Sequence, residues 1–292
     1  MNDHAEQEIA QLDFWKGGVS LEPIGGGITN RNFVATDQGH KYFVRMGDDI
    51  PLHGVMRFNE LQASRAAAKV GLSPAVVHQV PGILILDFIE GKTLAEEDVR
   101  QDTYLQQIVP ILHTCHRELT QHVRGPALIL WVFHVSRDYL ATLETTGSRM
   151  RDVLPVLREK SAALEKAVGS IDLVYGHNDL LAANFIDDGK RLWLIDWDYA
   201  GYNSPLFDLA NLASNNGLFP EQERWLLDHY FNAATPDTTR HAFDAMKCAS
   251  LLRETLWSMV SEIHSTIDFD FVEYTRENLE RFDQQWLIYQ AA

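Results

Sequence analysis

Cysteine is scarce in this chain. Cys115 and Cys248 stand far apart and form no CxxC unit, so neither a disulfide framework nor a zinc knuckle is expected. Basic residues are also few: 25 Lys and Arg face 41 Asp and Glu, for a formal net charge of −16. A nucleic-acid partner needs a basic face, so that class is disfavoured. Free nucleotide is repelled on average, and a phosphate site would have to bring its own positive charge or a metal, whereas a cationic substrate would be drawn in. Long apolar runs are missing too. ALILWVF falls far short of the roughly 20 residues that cross a bilayer, so no membrane insertion is expected. The opening MNDHAEQEIAQ lacks the basic and apolar regions of a signal peptide, which makes a cytoplasmic location the expectation. No repeat or low-complexity tract is visible, and no stretch specifies quaternary contacts.

What is present is enough apolar material, 46% of 292 residues, for a substantial core over one or two domains. NRNFVAT and KYFVRM are β-type runs joined by Asp-Gln-Gly, whose Asp and Gly are turn formers. RFNELQASRAAAKVGL has helical spacing with Gly71 as a stop, and AVVHQV and GILILDFI read as strands turned at Pro81-Gly82. From Thr93 onward the period becomes helical in DTYLQQIVPILHTCHRELT, VLREKSAALEKAVGS, EQERWLLDHYFNAA and a long stretch from Thr239 to Gln290. The expectation is an α+β chain with a small β-rich lobe over residues 1–89 and a larger, mainly helical lobe over 90–292, joined near Asp87–Gly91.

The chemistry concentrates in YGHNDLLAANF and the following LIDWDY. Carboxylates and amides are costly to bury without a partner. Asp179, Asn184 and Asp196, on loop-like and strand-like segments, form a natural oxygen cage for a hard divalent cation. The spacing His-x-Asp-x4-Asn matches the H-R-D-L-x-x-x-N loop of protein kinases, where the Asp takes the acceptor hydroxyl's proton and the Asn reaches Mg²⁺. Asp196 occupies the slot of the kinase metal-binding Asp, in an Asp-Trp-Asp triplet. The cage would therefore hold Mg²⁺ against nucleotide phosphates; single turn caps are the plainer alternative, but the ordered set is rarer. In the small lobe, Gly26, Gly27, Thr29 and Asn30 lie between strand-like runs, where amides and a hydroxyl could approach phosphates, although the G-x-G-x-x-G of protein kinases is absent. Arg45 sits amid apolar neighbours with Glu60 as a candidate ion partner, resembling the strand-Lys to helix-Glu pair of kinases.

On these motifs the sequence resembles the choline/ethanolamine kinase family, relatives of the aminoglycoside phosphotransferases with a two-lobed protein-kinase-like fold. GGGITNRNF resembles its nucleotide loop, YFVRMG its phosphate-contacting strand, GHNDLLAANF its catalytic loop, and LIDWDYAGYNSPLFDLAN its metal Asp with a family-specific extension. LWSMVSEIHSTIDFDFVEYTRENLERF resembles its choline-site helices. The resemblance implies an ATP- and Mg²⁺-dependent kinase acting on the hydroxyl of choline or a related amino alcohol such as ethanolamine. It implies Asp179 as base, Asn184 and Asp196 on Mg²⁺, Arg45 and Glu60 at the phosphates, and adenine against Asp87, Phe88 and Ile89. A small cationic alcohol is best held by aromatic faces, for which Tyr199, Trp257, Phe269 and Tyr274 are the candidates beside Asp179. Asp208 resembles a residue that supports the catalytic loop, and His177 is expected to brace that loop. His113 and His116 read as a packed or solvent-facing pair, and Asp187, Asp188 and Asp198 as solvated turn acids. Eukaryotic relatives carry an acid and a Trp where this chain has Asn215-Asn216, and Glu254 takes an aromatic slot before Trp257. Those departures widen the acceptor to ethanolamine or thiamine, with aminoglycosides as a further alternative. A catalytically inert ligand-binding module is disfavoured, since no base or metal residue is missing.

Overall fold

A computed structural model describes residues 2–25 and 30–291 of the chain. Helix α1 (Asn2–Ala10) precedes a five-stranded antiparallel sheet of β1 (Ser20–Ile24), β2 (Arg31–Asp37), β3 (His40–Met46), β4 (Val76–Val80) and β5 (Ile83–Asp87), in the order β1-β2-β3-β5-β4. Between β3 and β4 runs α2 (Arg57–Lys69), which ends at Val70-Gly71, with Gly71 in the left-handed region at φ 78°. The β2–β3 turn is tighter than its Asp-Gln-Gly sequence suggests. Asp37 stays paired with His40, and only Gln38 and Gly39 form the loop, both at positive φ (51° and 81°), as a two-residue type I′ turn requires. Pro81-Gly82 closes β4–β5 with Gly82 at φ 78°.

Strand alternation decides which face each side chain sees. Phe33, Ala35, Val44, Ile83 and Ile85 pack with Ala5 and Ile9 of α1 into a small core on one face. Arg45, next to Val44, is thereby turned to the opposite face, toward α2 and the large lobe.

The large lobe opens with β6 (Lys92–Thr93), α3 (Glu96–Val99) and α4 (Asp102–Glu118), continuing through α5 (Val132–Thr145) and α6 (Leu154–Val168). Four short strands follow: β7 (Val174–Gly176), β8 (Phe185–Asp187), β9 (Leu192–Leu194) and β10 (Gly201–Asn203). They form the sheets β10-β7 and β6-β8-β9. The chain ends in α7 (Pro205–Asn216), α8 (Pro220–Phe231), α9 (Asp237–His264) and α10 (Phe271–Ala291). The helical stretch from Thr239 to Gln290 is thus two helices. It breaks where α9 gives way to extended backbone at Ser265, and Asp270 Oδ1 then accepts from Glu273 N (3.0 Å) to start α10. Helix α9 is buried on nearly every side from Ala242 to Ser261, between α5, α6, α7 and α10. The main core extends from α9 to Ala63, Ala66 and Ala67 of α2, so the two lobes share apolar packing. Among the described residues, no helix is long and apolar enough to cross a membrane.

Candidate active site

Two lobes meet at Arg45. Its Nη1 donates to Glu60 Oε1 (2.7 Å) from its own lobe, and to Asp198 Oδ1 (2.7 Å) and Asp196 Oδ1 (2.9 Å) from the other. Arg57, at the start of α2, adds a second guanidinium: Nη1 reaches Glu60 Oε2 (2.7 Å) and Asp198 Oδ1 (3.0 Å), and Nη2 donates to Asn30 Oδ1. Asn30 in turn donates from Nδ2 to Asp198 Oδ2 at 3.0 Å. The expectation of a solvated Asp198 is therefore corrected, because this carboxylate is 4% exposed. Asp196 takes a left-handed backbone at φ 68°, which swings Asp198 inward under both arginines. Burial would raise the Asp198 carboxyl, but Arg45, Arg57 and Asn30 hold it below the usual carboxylate range. Burial, together with Asp198, pushes Glu60 upward in spite of the two guanidiniums.

The catalytic-loop candidates are fixed by α7. Ser204 caps that helix by accepting from Leu206 N, and Pro205 occupies its first position, as its fixed φ favours. This places Asp208 so that Oδ2 accepts from His177 N (2.8 Å) and from His116 Nε2 (2.9 Å), while Oδ1 accepts from Asn178 N (2.7 Å). His116 is buried and its Nδ1 meets Tyr230 OH at 2.7 Å, so of the two expectations for this histidine packing is the observed one. Burial alone would raise Asp208, but the donors from His116 and His177 hold it low. Asn178 sits at φ 66°, held by Nδ2 donating to Tyr199 O (3.0 Å) and Gly201 O (3.2 Å) and by Oδ1 accepting from Asn203 (3.1 Å). A side chain at Gly176 would start 3.0 Å from both Asn178 Oδ1 and Asp208 Oδ2, so anything larger than glycine makes these two side chains give way. The His177 ring is wholly buried, donates from Nε2 to Ile195 O (2.9 Å) and accepts from Asp179 N at Nδ1 (3.3 Å). Both ring nitrogens are spent on the loop, and neither is left for substrate.

Asp179 is different. Its side chain is 19% exposed, and the nearest guanidinium, Arg253 Nη1 of α9, is 3.8 Å from Oδ1. Burial raises its carboxyl to about 7, Arg253 opposes the rise, and Glu254, Asp196 and Asp198 add to it. Asn184 donates from Nδ2 to Asp179 O (2.8 Å), which leaves its carboxamide oxygen for a cation. The Asp196 side chain is one-third exposed. These two hard oxygen donors suit Mg²⁺. Arg45 Nε is buried with no hydrogen-bond partner among the described residues, a donor that an anionic phosphate would satisfy. The residues present therefore fit a magnesium nucleotide.

Three expected acceptor residues pack as a chain of aromatic rings, and the fourth touches its end. Trp257 Nε1 donates to Tyr199 OH (3.1 Å), Trp257 and Tyr274 meet edge-on at 6.4 Å, and Phe269 lies 5.6 Å from Tyr274. Trp257 is buried whereas Phe269 is 42% exposed, at the lip of the group. Tyr199 carries the Arg253 guanidinium over its ring at 4.3 Å. His53, from the small lobe, lies tilted against Trp257 at 5.0 Å and contacts Tyr139 OH (3.1 Å) and Ser261 Oγ (3.3 Å). Burial, with Arg253 and His264, lowers His53 to about 4 and keeps it neutral. A cleft of about 770 Å³ runs past His53 and Trp257 to Asn30, Arg31, Gly47 and Asp48. At the connector, Asp87 ends β5 and Phe88 and Ile89 are half-buried. Gly26, Gly27 and Thr29 lie outside the described residues.

Sequence reasoning missed Arg57, Arg253, His53 and the inward turn of Asp198. Arg253 carried a signal: a base within the apolar CASLLRETLW is the same anomaly that singled out Arg45. His53 carried none, since its contacts lie at long sequence range; Arg57 stands three residues before Glu60, a legible helical ion pair, but its reach to Asn30 and Asp198 was not legible.

The choline/ethanolamine kinase family model matches residues 21–227. Ethanolamine kinase 2 of Homo sapiens is 28% identical over 303 residues, covering 92% of this chain and 76% of that protein. Protein LicA of Haemophilus influenzae is 27% identical over 269 residues, covering 87% of this chain and 76% of that protein. The crystal structure of a choline/ethanolamine kinase family protein from Mesorhizobium loti superposes with a TM-score of 0.78 at 25% identity, covering 97% of this chain and 94% of that one.

Proposed function

The chain belongs to the choline/ethanolamine kinase family, and from that premise we propose that it transfers the γ-phosphoryl group of ATP, with Mg²⁺, to the hydroxyl of choline or a related amino alcohol such as ethanolamine. The observation that carries this reading is the meeting of Arg45 and Glu60 from one lobe with Asp196 from the other, all within 2.9 Å of one guanidinium nitrogen. Phosphoryl transfer spreads negative charge over oxygens, so catalysis rests on positioning and charge neutralisation. In this reading Arg45, held by Glu60, offers a permanent positive charge to the phosphates. Asn184 and Asp196 would hold Mg²⁺, which neutralises developing charge when bound. Asp179, with a carboxyl near neutrality, accepts the hydroxyl proton at an Oδ atom. Asp208 and His177 keep the loop in place, and Tyr199, Trp257, Phe269 and Tyr274 offer aromatic faces to the cation.

The test is ADP release with Mg–ATP across choline, ethanolamine, thiamine and a kanamycin-type acceptor. The expected outcome is turnover with an amino alcohol. Turnover confined to thiamine or the aminoglycoside reassigns the acceptor, and none with any acceptor despite intact nucleotide binding indicates an inert module.

A further inference from the structure

Glu254 follows Arg253 on α9 and lies one turn before Trp257. Its Oε1 accepts from Tyr274 OH at 2.7 Å and its Oε2 lies 3.9 Å from Arg253 Nη1. The side chain stays 24% exposed, so a carboxylate opens beside the aromatic group. The same Arg253 nitrogen is 3.8 Å from Asp179 Oδ1, which puts the two carboxylates at most about 8 Å apart. The guanidinium they share is 2% exposed and lies over Tyr199, so their common partner is held from within the core.

Resting on the reading above, we propose that Glu254 is a second anchor of the acceptor site, opposite Asp179, and that it selects an amino alcohol whose ammonium carries at least one N–H. When Asp179 is ionised, two carboxylates around one guanidinium leave a negative charge in excess, which favours a cation. An O–C–C–N unit spans roughly 3–4 Å, and hydrogen bonds of about 2.8 Å at its two ends extend its reach to about 9 Å, so a two-carbon amino alcohol can bridge acids no farther apart than this bound. Aromatic faces accept methylated and unmethylated ammonium alike. Glu254 does not. An N–H returns a charge-assisted hydrogen bond for the water the carboxylate loses, whereas methyl groups strip that water and return none. A site built to bond a donor rejects the analogue that lacks one.

The experiment measures kcat and KM with saturating Mg–ATP for ethanolamine, its N-methyl and N,N-dimethyl derivatives, and choline, in the wild type and in Glu254→Gln. The Gln variant keeps an acceptor for Tyr274, and its melting temperature and nucleotide KM report on its fold. In the wild type, kcat/KM is expected to drop at least tenfold at the last methylation, where the final N–H disappears. In Glu254→Gln, KM for the N–H-bearing acceptors rises about tenfold or more, choline changes less than threefold, and the step flattens. A packing role alone would change all four acceptors together. Equal use of choline and ethanolamine by the wild type, or a step that survives in the variant, overturns the proposal while the amino-alcohol kinase reading stands. Should the variant fail to fold, the wild-type series alone decides by the same step. Failure of all four acceptors sinks the parent reading and this one with it.

Discussion

The proposed phosphate region around Arg45 and the proposed acceptor region around Arg253 treat buried charge differently. Around Arg45 three carboxylate oxygens crowd one nitrogen at 2.7–2.9 Å, and Asp198 is held ionised. Around Arg253 the nearest carboxylate oxygens stand off at 3.8 and 3.9 Å, and Asp179 is left near neutrality. At Asp198 tight pairing outweighs burial and fixes a charge, at Glu60 it does not fully offset burial, and at Asp179 loose pairing in a dry setting leaves a proton free to move. On the proposed kinase reading, rigidity falls where phosphate would be gripped, and slack where a proton would transfer.

The sharpest way to break this contrast is Asp179→Asn. Turnover should fall by about 10²–10⁴-fold with nucleotide binding retained, as measured by ADP release and nucleotide titration. Stability should move the other way. Between pH 4 and 7 the folded Asp179 keeps a proton that the unfolded chain has released, so stability declines as pH rises through this window. In chelator-treated protein, Asp179→Asn should therefore melt higher than wild type at about pH 8, by on the order of a few kcal/mol, with the difference vanishing near pH 4. An equal difference at both pH values would refute the loose pairing.

At the tight end, Asp198→Ala leaves Arg45 and Arg57 short of a shared partner in a buried setting. A loss of about 3–5 kcal/mol in denaturant unfolding is expected, against the near-zero effect of a solvated turn acid. The smallest effect should come from His53→Gln, a several-fold rise in acceptor KM. Because His53 is held at about 4, the unfolded chain binds a proton below about pH 6.5 that the folded chain refuses. Wild type then loses stability as pH falls from 6.5 toward 4, and His53→Gln loses less, a difference visible in melting curves at the two pH values.

The hairpins, α2 and the order of the catalytic motifs were legible because each rests on local chemistry: Pro81-Gly82, Gly71, and the spacing from His177 to Asn184. The split of the last long helical stretch was not, since Ser265 and Asp270 are weak breakers taken singly. The site was legible as far as its motifs reach. Arg45 with Glu60, and the aromatic set at Tyr199 and Trp257, are brought together by the fold. Asp198 was misjudged because a neighbour's left-handed backbone turned it inward, which spacing alone does not encode. His53 joins the proposed acceptor region through lobe packing on Trp257 and Ser261, contacts across about two hundred positions of sequence.

Gly176 carries a consequence for how such a chain tolerates change. One added carbon would press on Asn178 and Asp208, and each can give way only by straining several hydrogen bonds. The disturbance would travel three residues along the backbone to Asp179. Drift in the outer helices can be absorbed one side chain at a time, whereas a methyl at this position asks two hydrogen-bonded neighbours to give by a few tenths of an ångström together.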